Sequence, residues 1–240
     1  MAPRTRSAAR SRSGRAPRQA RSERTRRRIL DAATALLARG GIDELPVTEI
    51  ARRAGVSVGG FYARFPGKDG LLHAFDEEIH ARVHEALRVT MDEGKLAGEG
   101  VSGVVAAYLG MVADFFDENR EVLRQVAIQS RSGGDPAFTE RVRAFNLAAH
   151  GRLHALLLAR RGEIAHEDPE SAIDLATLSA SAALREVLLF GDRQLNRSRL
   201  GKGRLVAELT RAYCAYLRTP APDRGASSPR KPGRKSGPSA

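Results

Sequence analysis

Between Val47 and Lys68 the chain reads VTEIARRAGVSVGGFYARFPGK, and no other stretch constrains its fold as much. Ile50, Ala51 and Ala54 recur at helical spacing behind Pro46, a residue suited to a helix start, and Gly55 stands where a sharp turn needs positive φ. Ser57 is placed to cap a second, brief helix through Phe65, which Pro66 and Gly67 end. Ala51 is small enough to let two helices cross closely, and Val56 and Phe61 close the small core beneath. The pattern is a helix-turn-helix. Such a unit aims the N-terminal residues of its second helix into a major groove, which leaves Val58, Gly59, Gly60, Tyr62 and Ala63 facing DNA. Tyr62, Arg64 and Lys68 then fall beside phosphates, and the dipole of the helix that Lys68 opens favours an anion there.

The rest of the chain reads as helices around this unit. Ile29, Ala33, Leu36 and Leu37 predict a first helix over about 23–39, stopped by Gly40 and Gly41. From Lys68 to about Met91 the residues Leu72, Phe75, Ile79, Val83 and Leu87 draw one apolar stripe. Beyond a glycine-rich break, helices are predicted over 101–117, 119–130, 135–161, 168–191 and 202–217. Asp135-Pro136 and Asp168-Pro169 act as capped starts, and Gly162 and Gly191 as stops. No stretch alternates as a strand does, so the expected fold is all-α with nine helices.

Charge divides the chain more sharply than hydropathy does. Residues 1–28 hold eleven Arg against Glu23, and 219–240 hold five basic residues against Asp223, whereas 29–218 carry 24 basic and 26 acidic residues. The excess positive charge therefore lies in two tails. Rich in Pro, Gly, Ser and Arg, these tails are expected to be disordered over 1–21 and 219–240. A cationic arm beside a globular module favours a polyanion through counterion release, although a merely solubilising tail has the same composition. No apolar run approaches the ~18 to 20 residues of a bilayer span, and no apolar signal core follows the arginines. The expectation is a cytoplasmic protein without membrane contact. Cys214 is the sole cysteine, so neither an internal disulfide nor a cysteine zinc cluster is open to the chain.

From the Ile29 helix through AGVS, the FY pair and the run F-P-x-K-D-x-L-L, residues 22–80 resemble the TetR/AcrR family of bacterial transcriptional regulators. The resemblance implies an N-terminal three-helix DNA-binding head over 22–82, joined by a long fourth helix to a helical ligand-binding and dimerisation domain over 83–218. It also implies base or groove contacts at Thr48, Val58, Gly59 and Gly60, and phosphate contacts at Tyr62, Arg64 and Lys68. Pro46 stands where the family often has a Ser or Thr cap, and Val58 and Gly60 replace more usual polar residues. With few hydrogen-bonding side chains on the recognition helix, direct readout leans on a thymine-methyl contact by Val58 and on Thr48. Groove shape read by Arg52, Arg53 or the arm supplies further selectivity in this reading. The implied function is a repressor that binds an inverted-repeat operator as a homodimer and is released by a small-molecule inducer. The implied homodimer forms through the last two helices, where small residues (Ala172, Ala176, Ser179, Ala180, Ser181, Ala182, Ala183) precede Val206, Leu209, Tyr213, Tyr216 and Leu217.

The remaining residues suggest where an inducer sits. Tyr108, Met111, Phe115 and Phe145 mix at helical spacing with Gln125, Gln129, Asn146 and His150, the composition of an apolar cavity with a few polar anchors, or of ordinary core with surface polar residues. His80 with His84, and His150 with His154, lie four apart, yet no third ligand is evident and no metal is assigned. With no phosphate loop, no G-x-S-x-G nucleophile and no metal triad, neither an enzyme nor a cofactor is expected. A basic architectural DNA binder without a ligand is the alternative. Saturable, sequence-selective binding separates the two.

Overall fold

The structure, a computed structural model, describes residues 15–132, 135–191, 194–195 and 198–218. Nine α-helices occur among them: α1 (Arg15–Leu37), α2 (Val47–Ala54), α3 (Val58–Tyr62), α4 (Lys68–Thr90), α5 (Val101–Glu118), α6 (Arg120–Ser132), α7 (Pro136–Leu158), α8 (Pro169–Arg185) and α9 (Lys202–Arg218). The two proline-led starts are built as the sequence implies. Asp135 accepts from the Phe138 amide and Asp168 from the Ser171 amide, with proline in the first turn where its missing N–H costs nothing. α8 runs on into a π-turn, Glu186–Phe190, closed by Gly191, whose amide donates to the Glu186 carbonyl at 2.7 Å. The single departure from helix and turn among the described residues is a two-residue antiparallel ladder, Gln194–Leu195 with Ser198–Arg199.

Helix α1 starts at Arg15, earlier than the apolar pattern predicts. The last seven residues of the expected disordered arm, 15–21, are therefore helical, and residues 1–14 lie outside the described residues. Periodicity misses this segment because its sequence carries no apolar stripe. Arg, Ala and Gln are good helix formers, and Pro17 falls in the first turn. Farther along, Arg26 and Arg27 reach Glu77 (3.3 Å) and Glu78 (2.6 Å) of α4. The expected basic tail, 219–240, also lies outside the described residues.

Two buried clusters meet on α4. One gathers Ile29, Leu37, Ile50, Phe61, Phe65, Leu71, Phe75 and Ile79; the other runs from Leu87 through α5, α7, α8 and α9, with Val83 packed against both. The sequence division at residue 82 thus cuts a continuous helix, and the packing crosses it again elsewhere. Val122 and Val126 of α6 and Phe138 of α7 belong to the first cluster. His73 of α4 stacks on Phe138 and places Nε2 3.0 Å from the capping carboxylate Asp135.

The last two helices are spent more on their own subunit than expected. Ala172, Ala176, Ala180 and Ser181 are buried, which lets α8 lie close to its neighbours. Tyr213 and Leu217 of α9 are buried as well, the Tyr213 hydroxyl donating to the Ile173 carbonyl at 3.1 Å with Thr177 Oγ1 2.7 Å away. Burial pushes that phenol up to about 12. The apolar residues left on the outside are Leu175, Leu178 and Tyr216, flanked by exposed Ser171, Ser179 and Ala182.

Candidate DNA-binding surface and ligand cavity

The turn between α2 and α3 is over-determined. Gly55 sits in the left-handed region (φ 64°, ψ 42°), and the Val56 amide donates to the Ala51 carbonyl at 3.0 Å. A guanidinium nitrogen of Arg28, on α1, donates to the carbonyls of Ala54 and of Gly55, the latter at 2.8 Å. A Cβ at Gly55 would be strained by the positive φ, and it would press on that nitrogen, 2.7 Å away, and disturb its hold on the two carbonyls. Ser57 then caps α3, accepting from the Gly60 amide at 3.0 Å, and Phe61 is fully buried beneath.

With Phe61 as its inward anchor, α3 turns Val58 (39% exposed) and Tyr62 (55% exposed) outward. Thr48 and Gly59 are exposed, and Gly60 is half-buried. The two cations expected at phosphates are already engaged with the protein's own backbone. Arg64 donates to the Gly60 carbonyl at 3.0 Å, with its Nε buried and unbonded, and Lys68 Nζ donates to the Asp43 carbonyl at 2.6 Å. Each keeps further N–H donors for a phosphate, since a guanidinium has five in all and an ammonium three. Arg52 pairs with Glu49 at 2.6 Å on the outside of α2 and holds that carboxyl below the usual range.

A cavity of about 310 Å³ opens below the head. It lies at the small end of the ~300–1,000 Å³ typical of ligand pockets. Ile79, Val83 and Leu87 of α4 form one wall; Tyr108, Met111, Phe115, Phe145, Asn146 and His150 form others, so six of the eight expected pocket residues converge. Gln125 and Gln129 do not. Gln125 is buried against the head, where its Oε1 accepts from the Ile42 amide at 3.2 Å, and Gln129 Nε2 donates to the Asp43 carboxylate at 3.3 Å. They look outward from α6 toward the head because the Ile42–Glu44 turn leaves a buried amide with no helical partner.

Four polar groups that the sequence reading missed complete the cavity wall: Ser130, Arg131, Ser181 and Arg185. Ser181 Oγ is buried without a well-formed hydrogen bond, near the Tyr108 hydroxyl. Burial raises the Tyr108 pKa, and burial followed by the charge of Arg185 lowers that of His150. His80 and His84 both pack on Phe145, the first stacked at 3.9 Å and the second edge-on at 5.5 Å. His80 Nε2 also lies 3.1 Å from the buried Asp76 carboxylate. His150 faces Tyr108, and His154 Nε2 lies 3.7 Å from Asp174.

Residues 29–75, which hold the clamped turn and its outward face, match the family model of "Bacterial regulatory proteins, tetR family". Over those residues the head is similar to the DNA-binding segment of tetR-family regulators. Two curated Bacillus subtilis proteins are similar to this chain: an uncharacterized HTH-type transcriptional regulator, YdgC, 28% identical over 100 residues, and the fatty acid metabolism regulator protein, 27% identical over 101. Each match covers 42% of this chain, and the chain spans about half the length of each relative (51%). The fold likeness extends further. A tetR-family regulatory protein from Rhodococcus superposes with a TM-score of 0.64 at 18% identity, covering 81% of this chain and 97% of that one. Bacillus subtilis FadR in complex with stearoyl-CoA gives 0.59 at 18% identity, covering 79% and 98%. The likeness of fold thus includes the helical body, where sequence likeness has faded.

Proposed function

We propose that the protein is a cytoplasmic, homodimeric DNA-binding repressor that grips an inverted-repeat operator through α3 and lets go when a small molecule fills the cavity. The observation that carries this reading is the span of α4. It begins at Lys68, six residues beyond the exposed Tyr62, and ends its apolar face on the cavity wall at Ile79, Val83 and Leu87. A ligand that favours one tilt of this helix changes the spacing of two recognition helices set for successive major grooves.

Base contacts are assigned to Thr48, Val58, Gly59 and Gly60, and phosphate contacts to Tyr62, Arg64 and Lys68, the last two by the N–H donors their backbone bonds leave free. The exposed stripe of Leu175 and Leu178, edged by Ser171 and Ala182, supports α8 as a subunit contact, with Tyr216 of α9 beside it. Stearoyl-CoA bound to the FadR neighbour supports a ligand role for the corresponding body here. No described helix is long and apolar enough to cross a membrane.

Selection of bound fragments from genomic DNA, followed by anisotropy titration of the winning site, tests the reading. A palindromic site that saturates at one dimer, with a half-site at least tenfold weaker, is the expected result. Equal, non-saturating affinity for all fragments overturns it in favour of an architectural DNA binder.

A further inference from the structure

Arg185 closes the last turn of α8 and faces the cavity half-buried, and among the described residues no carboxylate lies within ion-pair distance of it. Arg131 of α6 lines the same cavity, its one bond within the protein running to the Ala127 carbonyl of its own helix. The two guanidinium groups repel, and burial together with the charge of Arg131 weakens Arg185's hold on its proton. Glu186, the next residue, is exposed and offsets this only in part. A half-buried cation beside a like charge is costly unless something anionic joins it. The rest of the wall is largely apolar, Val83, Met111 and Phe145 among it, with Tyr108, Asn146 and His150 as its polar members, and the buried Ser181 hydroxyl lacks a well-formed hydrogen bond.

We propose that the cavity takes an apolar carboxylate, its head group held by Arg185 with help from Arg131 and Ser181 and its carbon skeleton lying between α4, α5 and α7. This rests on the cavity being the inducer site and names the inducer's chemical class. A guanidinium receives a carboxylate through two parallel N–H bonds, which an alcohol of the same length cannot match. The carboxylate also relieves the repulsion between the two arginines. Because Arg185 and Arg131 line the cavity itself, the anion sits within it.

Calorimetric titration of the full chain with decanoate, decan-1-ol and decanoyl-coenzyme A tests the proposal. Decanoate is expected to bind roughly ten- to a hundredfold more tightly than decan-1-ol, the difference a charge-assisted pair makes. Arg185→Gln removes that margin and leaves decan-1-ol affinity unchanged, and Arg185→Lys keeps part of it. Circular dichroism melts establish that the variants are folded, and Arg131→Gln, on an exposed side chain, gives a smaller loss in the same direction. Equal affinity for decanoate and decan-1-ol overturns the proposal, as does failure of decanoate to bind, whether or not decanoyl-coenzyme A binds. An equal loss for both ligands in Arg185→Gln overturns it too, since it marks a structural role for the arginine. Operator titration with each ligand judges the parent reading separately. Decanoate that binds through Arg185 without loosening the operator leaves the ligand class standing and removes the switch; a neutral ligand that alone loosens the operator does the reverse.

Discussion

The recognition surface and the cavity use cations in opposite ways. In the head, Arg28 holds the turn carbonyls, Arg52 pairs with Glu49, Arg64 returns to the Gly60 carbonyl, and Lys68 is tied to the Asp43 carbonyl. In the cavity, Arg185 has no acidic partner among the described residues, and Ser181 has no good hydrogen bond. Basic residues near the turn therefore first hold a rigid shape, and the DNA contact proposed for them falls to their remaining donors. A buried charge without a partner is a stronger sign of a ligand than a cluster of charges that satisfy one another.

The largest expected effect comes from removing what the head's shape rests on. Phe61→Ala is expected to lower stability by about 3–5 kcal/mol, since it empties a fully buried aromatic site under the turn. Urea unfolding of the full chain measures this, and a loss below about 1 kcal/mol would mean that the head is not packed around Phe61. Next comes Arg28→Ala, which strips the clamp from two turn carbonyls and is expected to cost about 1–3 kcal/mol. Its effect on operator binding should be uniform across operator variants. A changed ranking of those variants would show that Arg28 touches bases, contrary to the contrast drawn here.

Gln125→Ala probes the other route between the two regions. It orphans the buried Ile42 amide, again at about 1–3 kcal/mol, and it cuts a tie between the head and α6, whose other faces line the cavity. Coupling between ligand and operator should fall, measured as the ratio of ligand affinities with and without operator DNA. An unchanged ratio assigns the coupling to α4 alone. Met111→Trp fills the cavity instead: it is expected to block ligand binding while shifting stability by no more than about 1–3 kcal/mol, the usual range for an enlarged side chain. Smallest of all is Tyr62→Phe, which removes one hydroxyl from the exposed face of α3 and should weaken all operators alike, by less than about tenfold.

What was legible from sequence follows from the range of each interaction. Helix positions rest on local periodicity and on caps such as Asp135 and Asp168, so these were predicted within a few residues. The turn was equally plain, since Gly55 and Ser57 act within four residues of one another. Arg28, by contrast, looked like one more basic residue of the arm, because its partners lie 26 and 27 residues away. Gln125 looked like a pocket anchor because nothing local reveals an open amide at Ile42, 83 residues distant. Arg185 passes in sequence for a cation completing a helix C-terminus, where cations are ordinary. Only the convergence of α6 with α8 shows it to be a second like charge in a cavity.

The π-turn that follows Arg185 bears on how such a cavity is retuned over time. A π-turn is an α-helix carrying one residue more than its turn requires, and the surplus here swings Leu189 onto the cavity wall while Phe190 goes to solvent. Loss of a single codon within 186–190 restores an ordinary helical turn there. One deletion thereby changes which residue of this turn meets the cavity wall and leaves the residues of the head untouched. Drift in ligand preference has open to it a path of insertion and deletion at this one place, alongside the slower substitution of one lining residue after another.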